Sequence, residues 1–219
     1  MGSYRLSLNP AVNGFGSHDP SALLIKDGSL VFGIEEERLS RDKHSVNDFP
    51  TNAVNKCLEY EDIEFSDVEM VYVPWDPRLK RKLAFHHAGR AIRSDNVTAS
   101  LGELEKGARN ISRSFLNDFH DLERIFQRKW GHVPKIESFS HHKSHAASAY
   151  HPSGFDESLV LTIDAKGEYE STVVWKCKGK RMERLKTYEF PNSIGYFFAI
   201  CTEFLGFEDP YYFSRLFKS

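Results

Sequence analysis

Between residues 139 and 168 the chain places His141 and His145 four positions apart, and then the apolar run Leu159–Ile163 ending in Asp164 and a glycine turn. This arrangement narrows the possible folds more than any other stretch. On a helix, side chains four apart sit one turn above each other on the same face, so the two rings can share a metal ion. The apolar run has the length and β-branched content of a strand, and Asp164 falls at its carboxyl end. Open α/β sheets place ligands and ions at that end of their strands. Two imidazoles and a carboxylate from separate elements make a metal site with open positions, of a donor type that suits iron or zinc. No glutamate follows the first histidine as the general base of an HExxH metalloprotease would, which argues against that class. A buried histidine pair in a core helix is the competing reading of the same spacing.

Hydrophobic periodicity places the other elements around this stretch. Tyr4–Leu8 alternates as a strand, and residues 13–17 form a flexible loop. Ser21–Lys26 and Ser29–Glu35 flank Asp27-Gly28, a hairpin signal because the tight turn needs positive φ. A short helix is predicted over Thr51–Leu58 and a strand over Met70–Val73. Residues 78–93 are basic, with Arg78, Lys80, Arg81, Lys82, Arg90 and Arg93. They read as a solvated helix face or as a rim that attracts phosphate-bearing molecules. Apolar residues at three and four, including Leu104, Ile111, Phe115, Phe119, Leu122 and Phe126, predict one long amphipathic helix over 100–129. Pro134–Phe139 is the next strand and His142–Tyr150 a helix. Thr172–Lys176 and Arg184–Phe190 pair about a Lys178-Gly179-Lys180 turn, and Gly195–Leu205 closes as an apolar helix. No linker composition interrupts this order, so one α/β domain is expected.

Several sequence blocks resemble one family. They are His141-His142-Lys143-Ser144-His145-Ala146-Ala147, the run Leu161–Glu168, Gly16–Ala22, Gly33–His44 and Pro191–Tyr196 followed by Leu205-Gly206-Phe207. In this order and spacing they resemble the NodU/CmcH-type carbamoyltransferases, the family that includes the tobramycin and cephamycin carbamoyltransferases. The resemblance implies an ASKHA (actin/Hsp70/sugar-kinase, ribonuclease-H-like) lobe with a mixed sheet and a helical insertion, covering residues 1–207. It implies His141, His145 and Asp164 as ligands of a divalent metal. It further implies that His18 or Asp19 takes the proton of an acceptor hydroxyl, although Pro20 stands where relatives carry a small residue. Glu36, Arg38 and Lys43 would line a cleft and bind carbamoyl or phosphate groups. His142 would take a ligand or substrate role, and Gly167 and Glu168 would lie on the phosphate side. Ala165 replaces a glycine of the family's Asp-Gly-x-Gly-Glu turn, a departure that bears on close approach to phosphate.

The family's members carry a second lobe and a YrdC-like domain, and use ATP and carbamoyl phosphate to make carbamoyl adenylate. The expectation for this chain is a split or truncated form. Its partner would be a second chain supplying those parts, or a second copy of itself, with a small-molecule acceptor. The tail 208–219 matches no part of the family, and its Tyr211, Tyr212, Phe213 and Phe217 are candidates for a partner contact. A non-catalytic regulatory relative and a sugar-kinase-like phosphotransferase are the alternatives. Composition adds exclusions. A net charge of −2 and a pI near 6.6 give no overall basic bias for nucleic acid. There is no 18-residue apolar run for a membrane span, and the first residues show no apolar h-region of a signal peptide. Cys57, Cys177 and Cys201 lack CxxC spacing and read as free thiols of a cytoplasmic protein, with Cys57 and Cys201 in helix cores.

Overall fold

The structure, a computed structural model, describes residues 2–12, 15–93, 100–102, 104–108 and 119–206. Asn13 and Gly14 of the expected loop lie outside the described residues, as do Ile111 and Phe115 and the tail with Tyr211, Tyr212, Phe213 and Phe217. The chain divides into two compact units, Met1–Ser140 and His141–Ser219.

The first unit is built on a five-stranded mixed sheet. β1 (Tyr4–Asn9), β2 (Ser21–Lys26) and β3 (Ser29–Glu35) are antiparallel neighbours, while β4 (Val68–Val73) and β5 (Lys135–Ser138) add in parallel, giving the order β3-β2-β1-β4-β5. A strand, a loop and a hairpin open the chain, as the ASKHA resemblance implies. The hairpin turns on Asp27 (φ 51°) and Gly28 (φ 84°), both left-handed as a two-residue primed turn requires. Alternation in β1 sends Leu6 and Leu8 into the core, where Ala22, Leu24, Val71 and Val73 meet them. α1 (Glu36–Ser40) follows β3, and α2 (Thr51–Glu61) buries Ala53, Val54, Cys57 and Leu58 against β2 and β3.

The start of α2 explains a neighbouring acid. Its N-cap is Pro50, which offers no side-chain acceptor. Glu36 supplies one from α1: its carboxylate accepts from the backbone amides of Asn52 (3.3 Å) and Ala53 (2.8 Å) and from Asn52 Nδ2 (2.5 Å). A carboxylate at a helix N-terminus meets the orphan amides and the positive end of the dipole. Glu36 is therefore buried, at 1% exposure, and not turned to a cleft to bind carbamoyl or phosphate as the resemblance implied.

The basic stretch forms a 3-10 turn, Pro77–Lys80, and α3 (Arg81–Arg93). Arg78 grips Asp76 through two nitrogens at 2.8 and 3.0 Å. The long helix expected over 100–129 does not run unbroken. Residues 100–102 and 104–108 are helical, but Phe119 takes φ 45° and α4 (His120–Trp130) starts after it. The reason is tertiary: the Phe119 ring stacks on buried Phe15, with centroids 5.9 Å apart, and Arg78 lies over it at 5.8 Å. Leu122 and Phe126 of α4 fill the core, and Trp130 stacks on Phe65 at 4.5 Å.

The second unit is a three-stranded antiparallel sheet, β6 (Glu157–Ile163), β7 (Glu170–Lys178) and β8 (Arg181–Glu189), with α5 (His141–Tyr150) and α6 (Ile194–Phe204). Ala146 and Tyr150 of α5 pack on Val173, Trp175 and Cys177 of β7. β6 turns Thr162 inward and leaves Leu159, Leu161 and Ile163 outward at 70%, 58% and 49% exposure. Cys57 and Cys177 are buried, whereas Cys201, expected in a helix core, is only half-buried. No helix among the described residues is long and apolar enough to cross a membrane.

Replacing Glu36 by alanine removes the acceptor of two amides at the start of α2. The Glu36→Ala variant is expected to lose about 2 kcal/mol in urea unfolding. Glu36→Gln, which keeps an acceptor oxygen, is expected to lose less.

Candidate functional site

In the second unit α5 begins at His141. Glu168, fully buried, caps that start from across the unit: its two carboxylate oxygens lie 3.0 and 3.2 Å from the His141 backbone amide. This fixes where the helix starts and so which residues share a face. His141 and His145 point the same way, with Nε2 atoms 3.0 Å apart and rings edge-on at 4.3 Å. Asp164, at the end of β6, brings Oδ2 to 2.6 Å from His141 Nε2 and 3.7 Å from His145 Nε2. Its Oδ1 accepts from the Ala165 amide at 2.7 Å.

Electrostatics keep Asp164 and His145 in the forms a metal takes. Burial raises the Asp164 carboxyl, but the hydrogen bond and charge of His141, with the Ala165 amide and His145, outweigh it and hold it below the usual range. Burial, then the charge of His141, push the His145 imidazole down against the pull of Asp164. A neutral imidazole and an ionised carboxylate are ligand-competent. The donor set fits a divalent ion: two imidazole nitrogens converge with one carboxylate oxygen, donor types that such ions take. His141, His145 and Asp164 thus form a three-donor group. Tyr196 lies in the same field, where burial and then the Asp164 charge push its phenol up.

The other residues expected around this group face inward. Successive helix positions diverge by about 100°, so His142 turns into the core. It is fully buried, with Nδ1 2.9 Å from Thr162 Oγ1 and Nε2 3.3 Å from the Glu170 carbonyl. Burial depresses its pKa. Its expected ligand or substrate role is replaced by that of a packed core histidine. Gly167 lies against that ring: a Cβ there would stand 2.9 Å from His142 Cδ2. Gly167 and Glu168 therefore serve the start of α5 instead of presenting themselves to phosphate.

In the first unit the loop of His18 and Asp19 is stitched to the loop of His44. The Asp19 amide donates to the His44 carbonyl (2.9 Å), the Asn47 amide to the Ser17 carbonyl (2.8 Å), and Asn9 Nδ2 to the carbonyls of His18 and Asp19. Asp19 and His44 are both left-handed, at φ 53° and 62°. Each oxygen of Asp19 meets one imidazole: Oδ2 lies 2.6 Å from His18 Nδ1, and Oδ1 lies 2.5 Å from His44 Nδ1. Glu37 joins them by accepting the His44 amide at 2.8 Å. Burial raises the Asp19 carboxyl, and hydrogen bonds and charges from His18 and His44 outweigh it, leaving it below the usual range. Arg38 is exposed and pairs with Glu35 (3.2 Å) and Glu37 (3.3 Å), and Lys43 is exposed on a 3-10 turn. His44 and Glu37 were not singled out from sequence. Both lie inside the block 33–44, where a run of charges gives no sign of which residues turn toward Asp19.

The family model described as "Carbamoyltransferase N-terminus" matches residues 12–211, nearly the whole chain and past the Phe207 at which the motifs stop. This chain belongs to that family. Among curated relatives of this carbamoyltransferase N-terminal chain, an uncharacterized protein of Synechocystis, sll1178, is 33% identical over 198 residues, 87% of this chain and 31% of its own. Nodulation protein NolNO of Sinorhizobium fredii is 32% identical over 191 residues, 87% of this chain and 26% of its own. The chain thus spans about a third or less of the length of these relatives. Among solved structures, YeaZ from Pseudomonas aeruginosa aligns at a TM-score of 0.42 and 13% identity, over 86% of this chain and 68% of that one. An Aquifex aeolicus member of the Ppx/GppA family aligns at 0.35 and 13%, over 93% and 54%. Likenesses at this level assign nothing further.

Because the folded Asp19 carboxyl titrates below its unfolded value of about 4, its pairing stabilises the native state fully above that pH. The contribution is lost as pH falls through the folded value. Urea unfolding from pH 6 to 2.5 is expected to show wild type ahead of Asp19→Asn at pH 6, with the difference shrinking below pH 4.

Proposed function

We propose that this chain is the metal-holding part of an O-carbamoyltransferase, in which carbamoyl phosphate and ATP give carbamoyl adenylate and the carbamoyl group passes to the hydroxyl of a small-molecule acceptor. The observation that carries the reading is the convergence of His141, His145 and Asp164 in a chain whose family is that of carbamoyltransferases. These three residues would hold an iron or zinc ion, which when bound polarises the oxygens placed on it. The Ala165 amide donates to Asp164 Oδ1, which holds the carboxylate in one rotation with Oδ2 toward the histidines.

His18 and Asp19 are the proposed proton-transfer pair. With its Nδ1 proton donated to Asp19, a neutral His18 carries its lone pair on Nε2, and Asp19 stabilises the imidazolium that forms when that nitrogen takes a proton. In the transfer step the acceptor oxygen attacks the carbamoyl carbon, its proton goes to His18, and adenylate leaves. Lys43, exposed beside this loop, supplies positive charge for a phosphate-bearing substrate, and Arg38 would do so on leaving Glu35 and Glu37. ATP use and carbamoyl adenylate formation would need polypeptide beyond the 219 residues, corresponding to the rest of the longer relatives. The outward leucines of β6 and the apolar surface of α6, with Phe197, Phe198 and Phe204 exposed, support a polypeptide partner.

Elemental analysis of the purified chain tests the reading. Near-stoichiometric iron or zinc is expected, falling at least tenfold in His141→Ala/His145→Ala; equal metal in both proteins sinks the site. Carbamoyl transfer to a hydroxyl is expected when polypeptide carrying the remaining family parts is added to the metal-loaded chain. A folded, metal-loaded mixture without transfer favours a non-catalytic relative.

A further inference from the structure

The turn that carries Asp164 is held from its far side by the start of α6. Ser193 is the N-cap of that helix: its Oγ accepts from the Tyr196 amide at 3.1 Å. The same oxygen lies 3.1 Å from the Asp164 carbonyl and 2.7 Å from the Ala165 carbonyl, so its single proton serves that pair. Two residues on, Gly195 presses against the peptide between Asp164 and Ala165. A Cβ at Gly195 would stand 2.5 Å from Ala165 N, 2.7 Å from Ala165 Cα and 2.7 Å from the Asp164 carbonyl carbon. All three obstacles are backbone, which has no flexible end to swing away. That peptide also governs the carboxylate, because its N–H donates to Asp164 Oδ1 at 2.7 Å. The other side of Asp164 is pinned by its own amide, which donates to the Ser171 carbonyl at 2.9 Å.

We infer that Ser193 and Gly195 are positioning residues for Asp164: they hold the peptide that orients the carboxylate, and so keep Oδ2 turned toward His141 and His145. The pressed peptide leaves room for hydrogen alone at position 195, and the serine hydroxyl ties both carbonyls of the turn to the helix start. The consequence for metal rests on the proposed function; the holding of Asp164 does not.

The test is cobalt(II) titration followed by visible absorption, beside hydrogen exchange of the Ala165 amide in metal-free protein. Gly195→Ala and Ser193→Ala are expected to weaken cobalt binding tenfold or more, to alter the cobalt spectrum, and to speed Ala165 exchange at least tenfold. Ser193→Thr, which keeps the hydroxyl, is expected to stay within about threefold of wild type. Circular dichroism checks folding, and if Gly195→Ala does not fold, Ser193→Ala and Ser193→Thr carry the comparison. Unchanged cobalt affinity in folded Ser193→Ala overturns the positioning role. If wild type takes up no cobalt, the metal reading falls, and the exchange rate of Ala165 decides the inference: a rate unchanged in Ser193→Ala overturns it.

Discussion

The second unit depends on the contact between the segment Asp164–Glu168 and the first turn of α5. Five consecutive residues make three separate attachments there. Asp164 bonds the His141 ring, Gly167 packs under His142, and Glu168 caps the His141 amide. Buried carboxylates are costly unless hydrogen bonds satisfy them, and the cap that Glu168 supplies requires the helix to start at His141. The capping bond thereby sets the phase of α5. A start one residue later would rotate His145 and His141 away from Asp164 by about 100°. A backbone–carboxylate bond that is itself remote from solvent thus decides whether three donors meet.

The two histidine–aspartate arrangements use the same chemical pair in different ways. Asp164 meets His141 through Nε2, the nitrogen farther from the backbone, so the ring's outer edge faces the carboxylate and the second histidine together. Asp19 meets His18 and His44 through Nδ1, the nitrogen nearer the backbone. The first geometry gathers donors around a point. The second orients two imidazoles by one carboxylate, whose own backbone is held left-handed by the His44 loop.

Where short-range pattern decides structure, the sequence was legible. The β2–β3 hairpin follows from Asp27-Gly28 between alternating apolar residues, and the helical phase of His141 and His145 follows from their spacing. Placing Asp164 beside them needed only the strand end. The strands β4 to β8 are likewise written in local periodicity. What could not be read depends on partners distant in the chain. Three successive glutamates, Glu35–Glu37, look alike as a solvated run, yet the bare N-terminus of α2 draws Glu36 alone into the core. Apolar periodicity continues through Phe119, but nothing local announces the left-handed backbone it takes where its ring stacks on Phe15. His44 escapes notice because its left-handed backbone, not its spacing, swings it to Asp19. The Pro191–Tyr196 block was visible as a motif, but its physical meaning required the position of the Asp164–Ala165 peptide.

The open face of β6 bears on how this protein behaves in the laboratory. A strand that presents Leu159, Leu161 and Ile163 to water in a row offers a flat apolar platform to any amphiphile. Solvatochromic dyes such as anilinonaphthalene sulfonate bind such platforms on native proteins, so their fluorescence starts high before any heating. Melting curves read with those dyes would then report the masking and unmasking of a native surface together with denaturation. Trp175, which lies buried beneath α5 on the opposite side of the same sheet, is the internal reporter that follows loss of the core itself.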